Sequence, residues 1–350
     1  MTALPRPLRP QWPAAFFALI LQCSLGQLQF AEISDALPPA LAREMHESQF
    51  PTRSIGELKD VRHPSNVLWE GEWLYVASFM HNQVIRIRQR GLGERELFAS
   101  GRYCAPGAPC AVLDGPWGMA ARRGQLFVSS FGTDHVMVFD LASRAFVAAF
   151  GGSTVLDCPE GLAFDSAGRL YVASFLSNDV VVFNASRSEG YGGGGGGTYE
   201  APALLRRLRS DHLEGPEDVA FDPLNEHVLV SSHANHSVLR FSARTQSLGR
   251  LVAVIGPAEQ ALGGPVGIAV DGHGSIFAAS YRHNRVVRYT NDGSRGTYKG
   301  VYANAEGMRG PSGIAFDASG LLLAVASYDN SRLFLFNTSS HARASVARVI

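Results

Sequence analysis

The sequence predicts an all-β chain that folds as a six-bladed β-propeller of four-stranded antiparallel blades. The first observation is a stretch from Cys158 to Asn184 that reads as three short strands and is repeated six times along the chain. The second is that the six copies align on three columns, and the third is that successive copies begin 43 to 57 residues apart. This period is typical of propeller blades, and six radial sheets can bury the faces that one sheet alone leaves exposed.

The copy that begins at Cys158 shows the pattern most clearly. Residues 162–164 form a short apolar run, and 165–168 place Asp first and Gly last, which is the signature of a type I turn. Residues 169–174 are β-branched and aromatic, and 180–183 form a third apolar run after a polar bend. A fourth, variable strand precedes the next copy.

The three columns hold one residue from each copy. The opening prolines are Pro64, Pro116, Pro159, Pro216, Pro265 and Pro311. The serines that end the second strand are Ser78, Ser130, Ser174, Ser232, Ser280 and Ser327. The residues before the third strand are Asn82, Asp134, Asn178, His236, Asn284 and Ser331.

These repeats, of the form G-P-x-G-[IL]-A-F-D-x-x-G-x-[LIV]-[YF]-V-A-S, resemble NHL repeats over about residues 60–340. They are also similar to the streptogramin-lyase and TolB-like propellers. The resemblance implies the fold, but that fold is shared by enzymes, receptors and scaffolds. Streptogramin-type lyases use a histidine and a metal. Peptide-amidating lyases need a histidine after an opening proline, which none of the six copies has.

Related lactonase-like propellers hold a divalent ion with Glu, Asn and Asp. The residues of this chain that correspond in type are Glu160, Glu217, Asn178 and Asp134.

Composition limits the class of protein. The 350 residues are 46% hydrophobic and 18% charged, with a formal net charge of zero and no basic stripe, which argues against nucleic-acid binding. Residues 1–26 combine two arginines, an apolar run and small residues before position 27, and so predict a secretory signal peptide. An uncleaved anchor and an organelle transit peptide are the alternatives. Residues 27–53 form an N-terminal extension, and 54–350 form a propeller without a membrane span, expected to be a monomer.

Secretion predicts two kinds of modification. Three glycosylation sequons begin at Asn184, Asn235 and Asn337. Cys104 and Cys110 flank a short Pro- and Gly-containing loop that a disulfide would close, whereas Cys158 is expected to be a single, buried cysteine. The strand that completes the last blade comes either from residues 54–58 or from 345–350.

The candidate site lies at the end of the central channel where the inner strands begin, called here the channel mouth. Connectivity brings the residue after each proline and the bend after each serine to this end. The residues after proline are Ser65, Trp117, Glu160, Glu217, Val266 and Ser312. Glu160 and Glu217 are candidate metal ligands or acid–base groups, with loop capping or an arginine partner as the structural alternative. His233 and His236 are the other catalytic candidates.

Two functions are consistent with this pattern. The first is a secreted binding module that recognises a protein, peptide or glycan through the channel mouth and its surrounding bends. Its candidate binding residues are Trp117, Asn82, Asp134, Asn178, His283 and Asn284, although the asparagines also suit capping of the bends. The alternative is a lyase or hydrolase assisted by a divalent metal, Ca²⁺ or Mg²⁺, at the channel mouth.

Overall fold

A computed structural model describes residues 61–89, 94–104, 110–185, 201–256, 262–338 and 343–349, and all structural statements below concern these residues. They form six antiparallel sheets, which confirms the predicted six-bladed β-propeller. Among them, no helix is both long enough and apolar enough to cross a bilayer.

The strands follow one another in chain order within every blade. Blade 1 comprises β1 (Pro64–Glu70), β2 (Trp73–Ser78), β3 (Gln83–Arg88), β4 (Arg95–Tyr103) and β5 (Ala111–Leu113). Blade 2 comprises β6 (Pro116–Arg122), β7 (Gln125–Ser130), β8 (His135–Asp140) and β9 (Phe146–Gly151). Blade 3 comprises β10 (Pro159–Phe164), β11 (Arg169–Ser174), β12 (Asp179–Asn184) and β13 (Ala203–Leu208).

The second half of the ring repeats this order. Blade 4 comprises β14 (Pro216–Asp222), β15 (His227–Ser232), β16 (Ser237–Ser242) and β17 (Leu251–Ile255). Blade 5 comprises β18 (Pro265–Val270), β19 (Ile276–Ser280), β20 (Arg285–Tyr289) and β21 (Tyr298–Ala303). Blade 6 comprises β22 (Pro311–Phe316), β23 (Leu322–Ser327), β24 (Arg332–Asn337) and β25 (Ser345–Val349).

The described helical turns are short 3₁₀ turns. They span Phe79–His81, Phe131–Thr133, Thr245–Ser247, Tyr281–His283 and Tyr328–Asn330. Four of them are the bends that follow the serine column.

The outer strand of the last blade comes from the C-terminal segment. β25 pairs antiparallel with β24, with Phe334 opposite Val349 and Asn337 opposite Ser345. The C-terminal segment is therefore the outer strand of blade 6. The alternative source, residues 54–58, lies outside the described residues.

The hydrophobic cores lie in the wedges between neighbouring blades. Strand β12 shows why its apolar run is continuous: Val181 and Phe183 pack toward blade 2, whereas Val180 and Val182 pack toward blade 4. Because successive side chains of a strand point to opposite faces, a sheet covered on both faces needs apolar residues at every position.

The serine column has the same role in all six blades. Each hydroxyl oxygen accepts a hydrogen bond of 2.8 to 3.0 Å from the backbone N–H two positions before the opening proline. The donors are Arg62, Asp114, Asp157, Glu214, Gly263 and Arg309. These bonds fasten the end of each second strand to the segment that leads into the first strand of the same blade.

The column before the third strand joins each blade to the next. All six residues have positive φ, and each side chain accepts a hydrogen bond from the backbone N–H just before the next blade's proline. The pairs are Asn82–Gly115 (2.7 Å), Asp134–Cys158 (2.8 Å), Asn178–Gly215 (2.8 Å), His236–Gly264 (3.0 Å), Asn284–Gly310 (2.8 Å) and Ser331–His63 (3.1 Å). The last pair links blade 6 to blade 1 and closes the ring.

The structure shows which of the predicted cysteine pairings are correct. Cys104 and Cys110 are disulfide-bonded, as predicted. The expectation that Cys158 stays single is wrong: it is also disulfide-bonded, and its partner lies outside the described residues. Its small side chain is nonetheless fully buried, as expected.

Candidate functional site at the channel mouth

The backbone turns sharply where each inner strand enters the channel mouth. The residue before each proline has positive φ in all six blades, namely His63, Gly115, Cys158, Gly215, Gly264 and Gly310. After each proline the pairing with the second strand shifts register, as between Pro159 and Leu162. Such bulges redirect side chains out of the regular ladder, and here they affect the residues that line the mouth.

Four of the six residues after proline have roles that need no ligand. The hydroxyls of Ser65 and Ser312 each donate a hydrogen bond of 2.8 Å to the proline carbonyl of the following blade. Val266 and Trp117 are each 2% exposed and pack as apolar residues. Glu160 and Glu217 are the exceptions, because they place two carboxyl groups in the same buried ring.

Glu160 and Glu217 come from adjacent blades and are fully buried. Among the described residues, no hydrogen bond of ideal geometry reaches their four carboxyl oxygens, although the two glutamate side chains lie within hydrogen-bonding reach of each other. Oε1 of Glu217 lies 3.0 Å from Nδ1 of His233, which is 5% exposed. Two buried carboxyls in contact are costly, so such a pair is uncommon without a functional reason.

The environment of Glu160 favours its protonated form. Burial raises the pKa of its carboxyl well above the usual value, and the nearby charge of Glu217 raises it further. A smaller contribution comes from Asp218. Each of these effects favours the protonated form of the Glu160 carboxyl.

A third carboxyl lies next to this pair. Asp218 is nearly fully buried, and its Oδ2 accepts a hydrogen bond of 2.9 Å from the backbone N–H of Ile268. Burial raises the pKa of Asp218 to about 7, against the lowering effect of its backbone hydrogen bonds. The channel mouth therefore concentrates acidic groups that neutral pH only partly ionises.

His233 belongs to a column of otherwise aromatic residues. The residues that follow the serine column are Phe79, Phe131, Phe175, His233, Tyr281 and Tyr328. In blade 4, the imidazole packs against Gly264 of the next blade, where an added Cβ would lie 2.7 Å from its ring. An imidazole thus replaces a phenyl ring in the blade whose inner strand carries Glu217.

Four rings form an aromatic wall on the other side of the mouth. The wall consists of Phe79, Trp117, Phe131 and Tyr328, all at most 4% exposed. Their ring centroids lie 5.3 to 6.1 Å apart in five pairs. The pKa of the Tyr328 hydroxyl is raised, first by burial and then by nearby charges that include Glu217 and Glu160. The wall therefore extends to the glutamate pair.

The inner strands of neighbouring blades approach one another closely around the glutamate pair. A Cβ added to Gly118 would lie 2.3 Å from the Glu160 carbonyl oxygen, and one added to Gly161 would lie 2.4 Å from Cα of Asp218. Gly267 and Gly313 approach the next inner strand equally closely. Glycine is required at these positions because the inner strands are too close for any side chain to fit between them.

Most candidate binding residues are placed in bonds between or within blades. Asn82, Asp134, Asn178 and Asn284 hold the next blade as described above, rather than only capping their own bends. His236 does the same, and Nη1 of Arg282 lies 3.1 Å from its Nε2. Nδ1 of His283 lies 3.0 Å from the hydroxyl of Ser280 in its own blade. Of the candidates, the structure brings together Glu160, Glu217 and His233, with Trp117 in the adjacent wall.

The residues at the mouth do not form a compact metal site. Within the described part of the chain, one set of three potential ligand atoms lies within 4.8 Å, and it comprises Asp134, Asp157 and Cys158. The disulfide-bonded Cys158 has no thiolate to offer. At the mouth, the carboxyls of Glu160, Glu217 and Asp218 are not gathered into such a set, whereas Ca²⁺ takes six to eight oxygen ligands and Mg²⁺ six. The donor set therefore does not fit the divalent ion expected from the family resemblance.

Two features of the site were not predicted. Asp218 was missed although its position holds glycine in four of the six copies, so the difference between copies was a usable signal. The aromatic residues that follow the serine column, Tyr328 among them, are expected from the sequence either to form part of a recognition rim or to pack between blades. The proximity of Tyr328 to the glutamates depends on ring geometry that one blade does not reveal.

Comparison with known proteins supports the architecture. Neither a protein-family profile nor a curated protein matches the chain. Among solved structures, a streptogramin B lyase matches with TM-score 0.58 at 12% identity, covering 83% of this chain and 84% of its own. A catalytically inactive histidine-to-alanine variant of virginiamycin B lyase from Staphylococcus aureus, solved with quinupristin, matches with TM-score 0.57 at 12% identity, covering 84% and 87%. A candidate 6-phosphogluconolactonase from Bacteroides uniformis matches with TM-score 0.58 at 15% identity, covering 82% and 85%.

At these identities the likeness establishes the fold alone. The chain is a six-bladed β-propeller similar in fold to lyase and lactonase propellers. Its particular feature is a buried pair of glutamates beside a histidine at the channel mouth.

Proposed function

We propose that this protein is an enzyme of the lyase or hydrolase class that carries out acid–base chemistry at the channel mouth. The observation that carries the proposal is the pair of fully buried glutamates, whose oxygens lack hydrogen bonds of ideal geometry while one of them lies 3.0 Å from the His233 imidazole. Strongly perturbed carboxyls in a buried, shaped environment are characteristic of catalytic groups.

The environments of the two glutamates assign their roles. Glu160 has no basic partner among the described side chains and carries a raised pKa, so it acts as the general acid that protonates a leaving group. Glu217 is held beside His233, and this carboxylate–imidazole pair acts as the general base that removes a proton from substrate or water. Together they perform one proton removal and one proton delivery, which is what an elimination or an ester hydrolysis requires.

This assignment differs from the two functions considered from sequence. The divalent-metal variant is not retained because the donor set does not fit such an ion. The binding module depends on side chains that already accept hydrogen bonds between blades, so their mutation is expected to weaken the fold before it weakens a ligand. Binding of a protein, peptide or glycan at the channel mouth is compatible with the proposed enzyme, because the substrate would enter at the same place.

The first experiment tests the protonation of Glu160 by infrared difference spectroscopy. The protonated carboxyl signal of the wild type at pH 7 is expected to lose the contribution of one carboxyl in Glu160→Gln, while that of Asp218 remains. The signal is expected to be unchanged in Glu226→Gln, which alters an exposed glutamate in the turn between β14 and β15. An ionised Glu160 at pH 7 would remove the general acid and refute the proposal.

The second experiment follows turnover of quinupristin and 6-phosphogluconolactone by mass spectrometry, because the similar structures carry these names. Glu160→Gln and Glu217→Gln are each expected to reduce any turnover by about 10²–10⁴-fold, with Glu226→Gln unchanged. Turnover that survives both glutamate substitutions would place the chemistry elsewhere.

We also propose that the protein is extracellular, since the Cys104–Cys110 disulfide fits an oxidising compartment. Of the three sequons, Asn235 and Asn337 lie at exposed positions, whereas Asn184 is half-buried. Glycosidase treatment of secreted protein is expected to lower its mass, with Asn235 or Asn337 converted to Asp.

A further inference from the structure

We propose that the channel mouth binds a protonated primary or secondary amine attached to an apolar group. The inference rests on the function proposed above, since it names the class of substrate that the same site accepts. It follows from three properties of the mouth: its acidic groups, its aromatic wall and the carboxyl oxygens of its glutamate pair.

The acidic groups of the mouth favour a cationic ligand. Glu160, Glu217 and Asp218 bring three carboxyls into a buried region, and the base in contact with them is the His233 imidazole. The guanidinium of Arg282 is directed to His236. The carboxyls of the mouth can ionise together only at a high cost in a low-dielectric interior, and a cationic ligand would offset that cost.

The wall suits an organic cation. Trp117 stands next to Glu160 in the ring of residues that follow the prolines, and its ring centroid lies 5.8 Å from that of Tyr328. The electron-rich faces of Trp and Tyr attract ammonium groups, most strongly where water is excluded. Beyond the charged head, the rest of the ligand would pack against the same apolar rings, which are at most 4% exposed before it binds.

The carboxyl oxygens distinguish an amine from other cations. Four buried oxygens of Glu160 and Glu217 accept no hydrogen bond of ideal geometry from the described residues. A primary or secondary ammonium supplies two or three N–H donors, whereas a quaternary ammonium supplies none. A divalent metal needs more oxygens than the pair provides, and it gains nothing from aromatic rings that an organic ammonium would use.

The test compares two isosteric probes on the intact protein by isothermal titration calorimetry. Phenethylamine is expected to bind at least tenfold more tightly than 2-phenylethanol, because only the amine carries a charge and N–H donors at pH 7. Equal affinity for the two probes, or no binding of phenethylamine, would overturn the inference. This comparison uses wild-type protein and does not depend on the folding of any variant.

Variants then locate the binding. Glu160→Gln and Glu217→Gln are each expected to weaken phenethylamine binding at least tenfold, Trp117→Phe to weaken it less, and Glu226→Gln to leave it unchanged. Unchanged affinity in both glutamate variants would place the amine at another site and refute the inference. The infrared measurement on Glu160 is independent of these titrations, so failure to bind amines and failure of the acid–base function can be told apart.

Discussion

Replacement of Asp218 by Asn tests the electrostatics of the channel mouth directly. The Asp218 carboxyl is buried, and its pKa rises from 3.8 to about 7 on folding. Between these values the folded protein binds a proton that the unfolded chain has released, so stability decreases as pH rises. At about 1.4 kcal/mol per pH unit, the loss amounts to about 4 kcal/mol, complete above pH 7 and absent below pH 4.

Asn preserves the shape of the side chain and can still accept the hydrogen bond from Ile268, but it cannot ionise. The difference in unfolding free energy between Asp218→Asn and wild type should therefore increase by about 4 kcal/mol from pH 4 to pH 8 in favour of the variant. Urea unfolding at five pH values measures it, and titrations common to both proteins largely cancel in the difference. A difference that stays constant with pH would show that Asp218 is not desolvated, and the acidic site described here would be wrong.

Three further predictions concern the ring. Gly161→Ala should destabilise the protein by about 3 kcal/mol, because the added Cβ meets the next inner strand. Gly272→Ala, whose added Cβ meets nothing within 4 Å, should change stability little. Equal effects of the two substitutions on stability would refute the close approach of the inner strands. Asn178→Ala should cost about 1–2 kcal/mol in thermal or urea unfolding by leaving the Gly215 N–H without its acceptor, and a neutral result would deny that this bond joins blades 3 and 4. Peptide mapping without reduction should recover Cys158 in a disulfide-linked peptide, and a free thiol there would contradict the structure.

The fold was predictable because a propeller repeats its physical requirements. Proline, serine and the residue before the third strand recur for reasons that the structure makes explicit, and six copies in register give a signal that one copy lacks. What the repeat did not reveal was the partner of each side chain. Asn178 was expected to cap its own bend, whereas its oxygen reaches Gly215 in the next blade, and contacts between blades cannot be read from one copy.

The site was predictable only where the copies differ. Glu160 and Glu217 were nominated because two carboxyls occupy a position that other blades fill with Ser, Trp or Val. The same comparison of the six copies at the second position after the opening proline would have identified Asp218, because four other copies have glycine there. The aromatic wall could not be predicted, since packing of Trp117 against Tyr328 joins residues from blades 2 and 6 across the channel mouth.

The bonded state of Cys158 has a consequence for the channel mouth. Cys158 directly precedes the inner strand β10 that carries Glu160, so the bond fastens the start of that strand to a partner outside the described residues. Reduction of the bond would release this attachment, and the stability of the channel mouth would then depend on the redox state of its compartment.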